Sequence, residues 1–318
     1  MTSHQAVEFA DFFADLRDRS SNPDLDLATV RDIAETIHLA TKEPEDVTYA
    51  EVDAGGVEAL WCIPAHSDPD AVLLHNHMGG GVLTSMHSDR KAAAHIAKAA
   101  GMRSLVLNYR RAPEDRFPAQ LEDVEAAYLW LLEKGYRPEH IASVGHSIGG
   151  NLAVSLAMRL RDKGARPPGA ILSISPWFDI SLCSGSIESN ADTDKLLSRP
   201  LLEFFRSAWL DGTGVESNDP RVNLLAADLT GLPPIAVFYG DYDLLAGDAS
   251  PFARRAEAAG NDVLLCSVIE GQHSFIMGAG RVPEVDEAID AMGIWLRQKL
   301  GLGPRRAPAE SPDLEASA

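Results

Sequence analysis

Six short apolar runs, at residues 71–75, 104–108, 141–144, 170–174, 235–239 and 263–269, alternate along the chain with stretches of helical periodicity. Those stretches lie at 88–100, 119–134, 148–163, 249–259 and 285–299. A strand that is apolar at every position must be covered on both faces, and a helix between two such strands brings the second back parallel to the first. The alternation therefore predicts a parallel sheet with helices on both sides. Two extended segments, 47–53 and 57–63, precede it and are joined through Gly55-Gly56 as a hairpin.

Two regions do not follow the alternation. Residues 5–20 and 27–40 read as amphipathic helices, the first carrying Val7, Phe9, Phe12, Phe13 and Leu16. Residues 179–220 hold a polar run from Ser184 to Asp194 and then an aromatic helix at 201–210, a candidate lid or dimer element. In α/β enzymes ligands bind at the carboxyl ends of the strands, so both regions are candidates for a lid there. The expected division is a helical lid segment at 1–45 and a catalytic domain at 46–300 that carries the insertion at 179–220. The proline-bearing end at 301–318 has no apolar periodicity and is expected to be disordered.

Composition limits the function. The formal charge of −19 argues against nucleic acid or an anionic membrane surface as a partner. No apolar run approaches the roughly 20 residues needed to span a bilayer. The first residues lack the basic start and apolar core of a signal peptide, so the expected location is the cytoplasm. Cys62, Cys183 and Cys266 are odd in number and widely spaced, and read as reduced core residues.

The stretch "VGHSIGGN" (144–151) places Ser147 between Gly145 and Gly149, with Gly150 next. An apolar strand (141–144) leads in, and Ile148, Leu152, Leu156 and Leu160 lead out at helical spacing. A serine at such a strand-to-helix corner is held proud of the sheet edge, where its hydroxyl can act as a nucleophile. The plain alternative is a glycine-rich turn with a serine helix cap. A nucleophilic serine needs a base and an acid to orient that base. Downstream, the run 235–239 ends in Gly240-Asp241-Tyr242-Asp243, offering two carboxylates at a strand end. The run 263–269 ends in Glu270-Gly271-Gln272-His273, and His273 is the only histidine after Ser147. The order Ser, Asp, His at the ends of three strands points to a hydrolytic triad. After the strand at 71–75, Gly79-Gly80-Gly81 can present backbone N–H groups to a developing oxyanion. A phosphate cradle is the alternative, against which no G-K-[ST] follows and Val82-Leu83 does not suit a Walker loop. His75, His77, His87 and His95 are dense, but no carboxylate or cysteine completes a metal set, and no metal or cofactor is expected.

In order along residues 70–300, "HMGGG" (77–81), "NYRRAPEDRFPAQLEDV" (108–124), "GHSIGGN" (145–151), "SPWFD" (175–179), "DLL" (243–245) and "HSF" (273–275) resemble one set of motifs. They are similar to those of the hormone-sensitive-lipase-like (GDXG) esterases of the α/β-hydrolase superfamily. That family carries H-G-G-G and an aromatic, D-Y-R-L-A-P-E, G-D-S-A-G-G-N, D-P-L and H-G-F. The resemblance implies the α/β-hydrolase fold, with a lid built from the N-terminal helices and an insertion after the sixth strand. It implies a carboxylic-ester hydrolase working through an acyl-enzyme on a small or medium ester or a lactone. Ser147 would be the nucleophile, His273 the base and Asp243, in preference to Asp241, the acid. The N–H groups of Gly79, Gly80 and Ile148 would form the oxyanion hole. An amidase or deacetylase with the same triad is the alternative within the class, and a ligand receptor on the same fold the alternative outside it. A homodimer is compatible with the resemblance.

In the glycine loop and beside the nucleophile the chain departs from the family pattern at Met78 for the first glycine, Gly81 for the aromatic, His146 before the nucleophile and Ile148 after it. A donor that uses only its backbone N–H survives such changes, whereas the bulk around the acyl group does not stay the same. Met78, Trp177 and Phe178 are the candidate pocket-lining residues. Arg110 and Asp123 read as braces of the active-site loop, and His146 as a residue packed beneath the oxyanion loop and not the base.

Overall fold

The computed structural model describes residues 3–303, so all of the 301–318 reading beyond Gly303 lies outside the described residues. Two helices come first, α1 (His4–Ser20) and α2 (Leu27–Glu35). The hairpin β1 (Val47–Asp53) and β2 (Glu58–Pro64) follows, then β3 (Asp68–Asn76), α3 (Met86–Ala100), β4 (Met102–Leu107), α4 (Ala119–Glu133), β5 (Ile141–His146), α5 (Ile148–Asp162) and β6 (Ala170–Ile174). The insertion contributes α6 (Ser186–Ser189) and α7 (Arg199–Leu210). The chain closes with β7 (Ile235–Gly240), α8 (Ala246–Ala258), β8 (Val263–Val268) and α9 (Pro283–Lys299).

The eight strands form one sheet in the order β1-β2-β4-β3-β5-β6-β7-β8. β1 and β2 are antiparallel, β2 meets β4 antiparallel, and all other neighbours are parallel. Successive side chains go to opposite cores, as a two-residue period requires. Leu73, Val144, Leu172 and Phe238 join α1, α3 and α9 on one face. Val72, Leu74 and Ile141 pack on α4 and α5, and Ile171 and Val237 on α5 and α8, on the other. That double coverage is why these strands read as unbroken apolar runs. The exposed edge strand β1 instead alternates, with Glu51 and Asp53 turned to solvent.

A further apolar cluster sits beyond the strand ends, where Ala34 of α2 and Leu202, Phe205 and Trp209 of α7 meet Val82, Leu83 and Ile148. It is the seam between the sheet and the two regions that did not follow the alternation. One expected helix, 27–40, is broken: α2 stops at Glu35 and a 3₁₀ segment, Thr36–Ala40, continues it. Thr36 Oγ1 donates to the Ile33 carbonyl at 2.6 Å and the His38 ring to the Glu35 carbonyl at 2.6 Å, which competes with the α ladder. All three cysteines are free; Cys62 is buried as expected, but Cys183 is exposed in the insertion and is not a core residue.

Candidate active site

β3 and β5 are neighbours in the sheet, but the chain leaves β3 for β4 on one side and leaves β5 for β6 on the other. A crevice opens at such a reversal of winding direction. Ser147 stands at its centre, between the end of β5 and the start of α5, with φ 58° and ψ −119°. A non-glycine residue at positive φ is strained and persists only where its surroundings hold it. The Ser147 N–H donates to the Ile174 carbonyl at 2.9 Å, and its carbonyl accepts from Gly150 at 2.9 Å and Trp177 at 3.2 Å. The flanking glycines are demanded by contact. A Cβ on Gly145 would lie 1.8 Å from the Gly149 carbonyl oxygen, and one on Gly149 would lie 2.1 Å from the Asn76 carbonyl oxygen. Strand end, turn and neighbouring strand touch backbone to backbone.

The loops after β7 and β8 bring two side chains to that serine. His273 Nε2 accepts from Ser147 Oγ at 3.0 Å, and His273 Nδ1 donates to Asp243 Oδ2 at 2.9 Å. The other Asp243 oxygen takes the Leu245 N–H at 2.8 Å. Of the two carboxylates in this loop, Asp243 is buried against the histidine and Asp241 is exposed. Burial pushes the His273 pKa down, but the charge and hydrogen bond of Asp243 and the charge of Asp194 outweigh it, so the net shift is upward. The three groups can pass a proton from the hydroxyl to the imidazole while the carboxylate fixes the tautomer.

Met78, Gly79 and Gly80 follow β3 and face the same cavity as Ser147 and His273. The loop is held from behind. The Tyr109 hydroxyl donates to the His77 carbonyl at 2.8 Å, its ring stacks on His77 at 4.0 Å, and Thr84 Oγ1 donates to the Met78 carbonyl at 2.8 Å. Burial lowers the His77 pKa to about 4, so it serves as a neutral brace. Arg111 donates to the Thr84 carbonyl and Arg31 of α2 to those of Val82 and Ala112. Arg110 grips Asp123 through its backbone N–H and its guanidinium, fixing the start of α4.

The cavity in front of Ser147 has a volume of about 580 Å³. Its walls are mainly apolar and come from α1 (Leu16), α2 (Val30), the insertion (Leu196, Leu197) and α7 (Phe204, Phe205). Met78 is among its lining residues. Trp177 and Phe178 are not in its walls, and this corrects the sequence reading. The Trp177 indole N–H donates to the Asp179 carbonyl at 3.0 Å, and Phe178 stacks on Phe252 of α8 at 4.0 Å. The N–H groups of Phe178 and Asp179 are both taken by Asp248 Oδ2, which turns the aromatic pair into the core.

Two more buried acids near the site, besides Asp248, escaped the sequence reading. Asp89 in the first turn of α3 accepts from His75 Nε2 at 3.1 Å and from His146 Nδ1 at 3.3 Å, so the histidine group does have a carboxylate partner. Burial alone would raise the Asp89 carboxyl; the His146 and His75 rings bring it below its ordinary value. Burial lowers the His146 pKa, leaving a neutral donor. Among the described residues no three His, Cys, Asp or Glu side chains are arranged to hold a metal ion. The other acid, Asp194, lies in the insertion. The serine cap at Ser198 followed by Pro200 in the first turn of α7 was a legible helix start, but nothing local marks Asp194 as buried.

Comparison with known proteins places these features. The sequence profile of the α/β-hydrolase fold matches residues 73–277. The chain belongs to the hormone-sensitive-lipase-like α/β-hydrolases. The hydrolase is 36% identical to an acetyl-hydrolase of Streptomyces hygroscopicus over 79% of its own length and 83% of that protein's. It is 32% identical to a carboxylesterase, NlhH, of Mycobacterium tuberculosis over 77% and 79% of the two chains. A crystal structure of an esterase from the bacterial hormone-sensitive lipase family superposes with a TM-score of 0.89 at 34% identity, covering 95% of this chain and all of that one. The hydrolase is therefore a carboxylic-ester hydrolase. Among the described residues no helix is long and apolar enough to cross a membrane.

Proposed function

We propose that the hydrolase is a serine carboxylesterase with Ser147 as nucleophile, His273 as general base and acid, and Asp243 as the orienting carboxylate. The observation that carries this reading is the continuous pair of hydrogen bonds Asp243–His273–Ser147, opening into an apolar cavity. Ser147 Oγ adds to the ester carbonyl carbon while its proton passes to His273 Nε2. The oxyanion forms next to the N–H groups of Gly79, Gly80 and Ile148, two from the loop after β3 and one from the start of α5. Collapse breaks the bond to the alkoxy oxygen, which takes the proton from His273 and leaves as the alcohol. Water then attacks the acyl-enzyme, giving its proton to the same nitrogen, and the acid is released with the serine restored. Helices α1, α2 and α7 serve as the lid, since each contributes side chains to the cavity and none belongs to the sheet. The volume and its apolar walls suit an uncharged ester or lactone of small to medium size.

An aryl-ester assay combined with a fluorophosphonate label tests the assignment. The wild type should take up one label per chain, on Ser147 by peptide mass. Ser147→Ala should take up none, keep its thermal midpoint and fall below about a thousandth of wild-type turnover. Labelling at another residue, or turnover that survives the substitution, would remove Ser147 from its role.

A further inference from the structure

Asp194 ends the polar run of the insertion, for which the catalytic scheme has no use, yet it is fully buried. Its Oδ1 accepts the N–H groups of Leu196 and Leu197, each at 2.8 Å. Its Oδ2 accepts the N–H of Leu244, the residue after the triad acid, at 2.8 Å. The same short segment makes four more ties to the catalytic loops. Asn190 Nδ2 donates to the carbonyls of Asp241 and Asp243, each at 2.9 Å. Thr193 Oγ1 donates to the Tyr242 carbonyl at 3.3 Å, and the Lys195 N–H donates to Gln272 Oε1, beside His273, at 2.7 Å.

The chemistry gives these ties a purpose. Asp243 presents Oδ2 to His273 while its Oδ1 is held by the Leu245 N–H, so the course of the chain through 244–245 sets the angle of the carboxylate. Asp194 fixes the first of those two peptides. We infer, on the basis of the triad proposed above, that Asp194 is a positioning residue: it anchors the Leu244 amide so that Asp243 meets His273 in line, and it contributes a second buried negative charge to the field at His273.

The charged groups around it are few. Asp243 faces it from the loop after β7, His273 from the loop after β8, and Arg17 of α1 donates to its backbone carbonyl at 3.1 Å. The Lys195 ammonium is turned away onto the Asp192 carbonyl. Burial first, and the Asp243 charge second, raise the Asp194 pKa to about 6. Above that pH it is an anion, and an anion beside His273 favours the protonated ring.

The test uses Asp194→Asn in the full chain, with turnover on a short aryl ester counted per fluorophosphonate-reactive site. Expected are a fall in kcat of about ten- to a hundredfold, KM within about threefold, and an acid limb of kcat/KM displaced downward by about half a pH unit or more. A purely structural role would reduce the number of reactive sites and leave both kcat per site and the acid limb where they were; that result would overturn the proposal. Should Asp194→Asn not fold, Asn190→Ala removes the ties to the Asp241 and Asp243 carbonyls and leaves the buried charge in place. Its expected result is a lower kcat per site with the acid limb unmoved, and wild-type kcat per site would overturn the positioning role. Failure of the wild type to label at Ser147 would instead strike the serine-esterase reading itself.

Discussion

His146 and His273 lie 6.3 Å apart between ring centres, one adjoining Ser147 in the chain and the other 126 residues away. Adjacency in sequence is a poor guide here. At the turn the serine side chain rises into the crevice while its neighbour is carried under the sheet, where His146 spends its Nδ1–H on Asp89. A base must reach the hydroxyl to about 3 Å and offer its other nitrogen to an acid, and only His273 does both. His273→Ala should therefore be nearly inactive, and His146→Ala should keep at least a few per cent of wild-type kcat, measured on proteins of matched circular dichroism. The reverse ranking would transfer the base to His146. The pH profile follows from the same geometry. In the proposed role His273 must be neutral to accept the serine proton, and its pKa is raised above the ordinary histidine value. The kcat/KM for an aryl ester should therefore still be climbing as pH passes about 6.5, and reach its plateau only above the shifted value. A plateau already complete below that pH would contradict the net upward shift.

At the scale of elements, the strands and their following helices were legible because each strand is buried on both faces and each helix on one, so the pattern repeats in the residues themselves. Gly145, Ser147 and Gly149 were legible for a similar local reason, since strand, turn and helix are all coded within a dozen positions. Trp177 and Phe178 misled because an aromatic beside a strand end can turn either to the crevice or to the core, and Asp248, some 70 residues on, decides it. Asp89 and Asp194 could not be found from neighbours alone, since Asp89 is met by His75 of β3 and His146 of β5, and Asp194 reaches the Leu244 N–H 50 residues on. Helix α7 was visible as an aromatic stripe, but its register against the glycine loop after β3 was not. A Cβ placed on Gly80 would come within 2.3 Å of the Phe205 ring, so this ring closes the space over the loop. Phe205→Ala should open the cavity there and raise the ratio of kcat/KM for a hexanoyl over an acetyl ester by roughly tenfold, in line with one or two methylenes of new contact. An unchanged ratio would move the acyl site elsewhere in the cavity.

Across the whole molecule, the segment leading into α1 is fastened to α9. Ser3 donates through its N–H and its hydroxyl to the two oxygens of Glu284 in α9, at 2.7 and 2.8 Å. Phe9, Phe13 and Leu16 of α1 are buried in the same core cluster as Ile289, Met292 and Trp295 of α9. So α1 is at once a wall of the cavity and a cover for the main core, and the two roles cannot be separated by cutting it off. Burying each of those three side chains is worth roughly 2 kcal/mol, and losing all three should lower the thermal midpoint of a chain without residues 1–21 by roughly ten degrees. The shortened chain should also bind an apolar dye and discriminate less between acyl lengths. A midpoint within about two degrees of the full chain would mean that α1 only rests on the core.

The elbow that holds Ser147 has a consequence for descent. Its two flanking positions are closed by main chain from both sides, so no rearrangement of a neighbour's side chain can make room for a mutation there. The lip of the cavity is the opposite case: Met78, Leu196, Leu197 and Phe205 meet the substrate space with side chains, which can be exchanged one at a time. A lineage carrying this fold thus inherits a rigid reaction and a negotiable diet. Drift is barred at the corner that holds Ser147, and new preferences have to be written into the helices that lean over it.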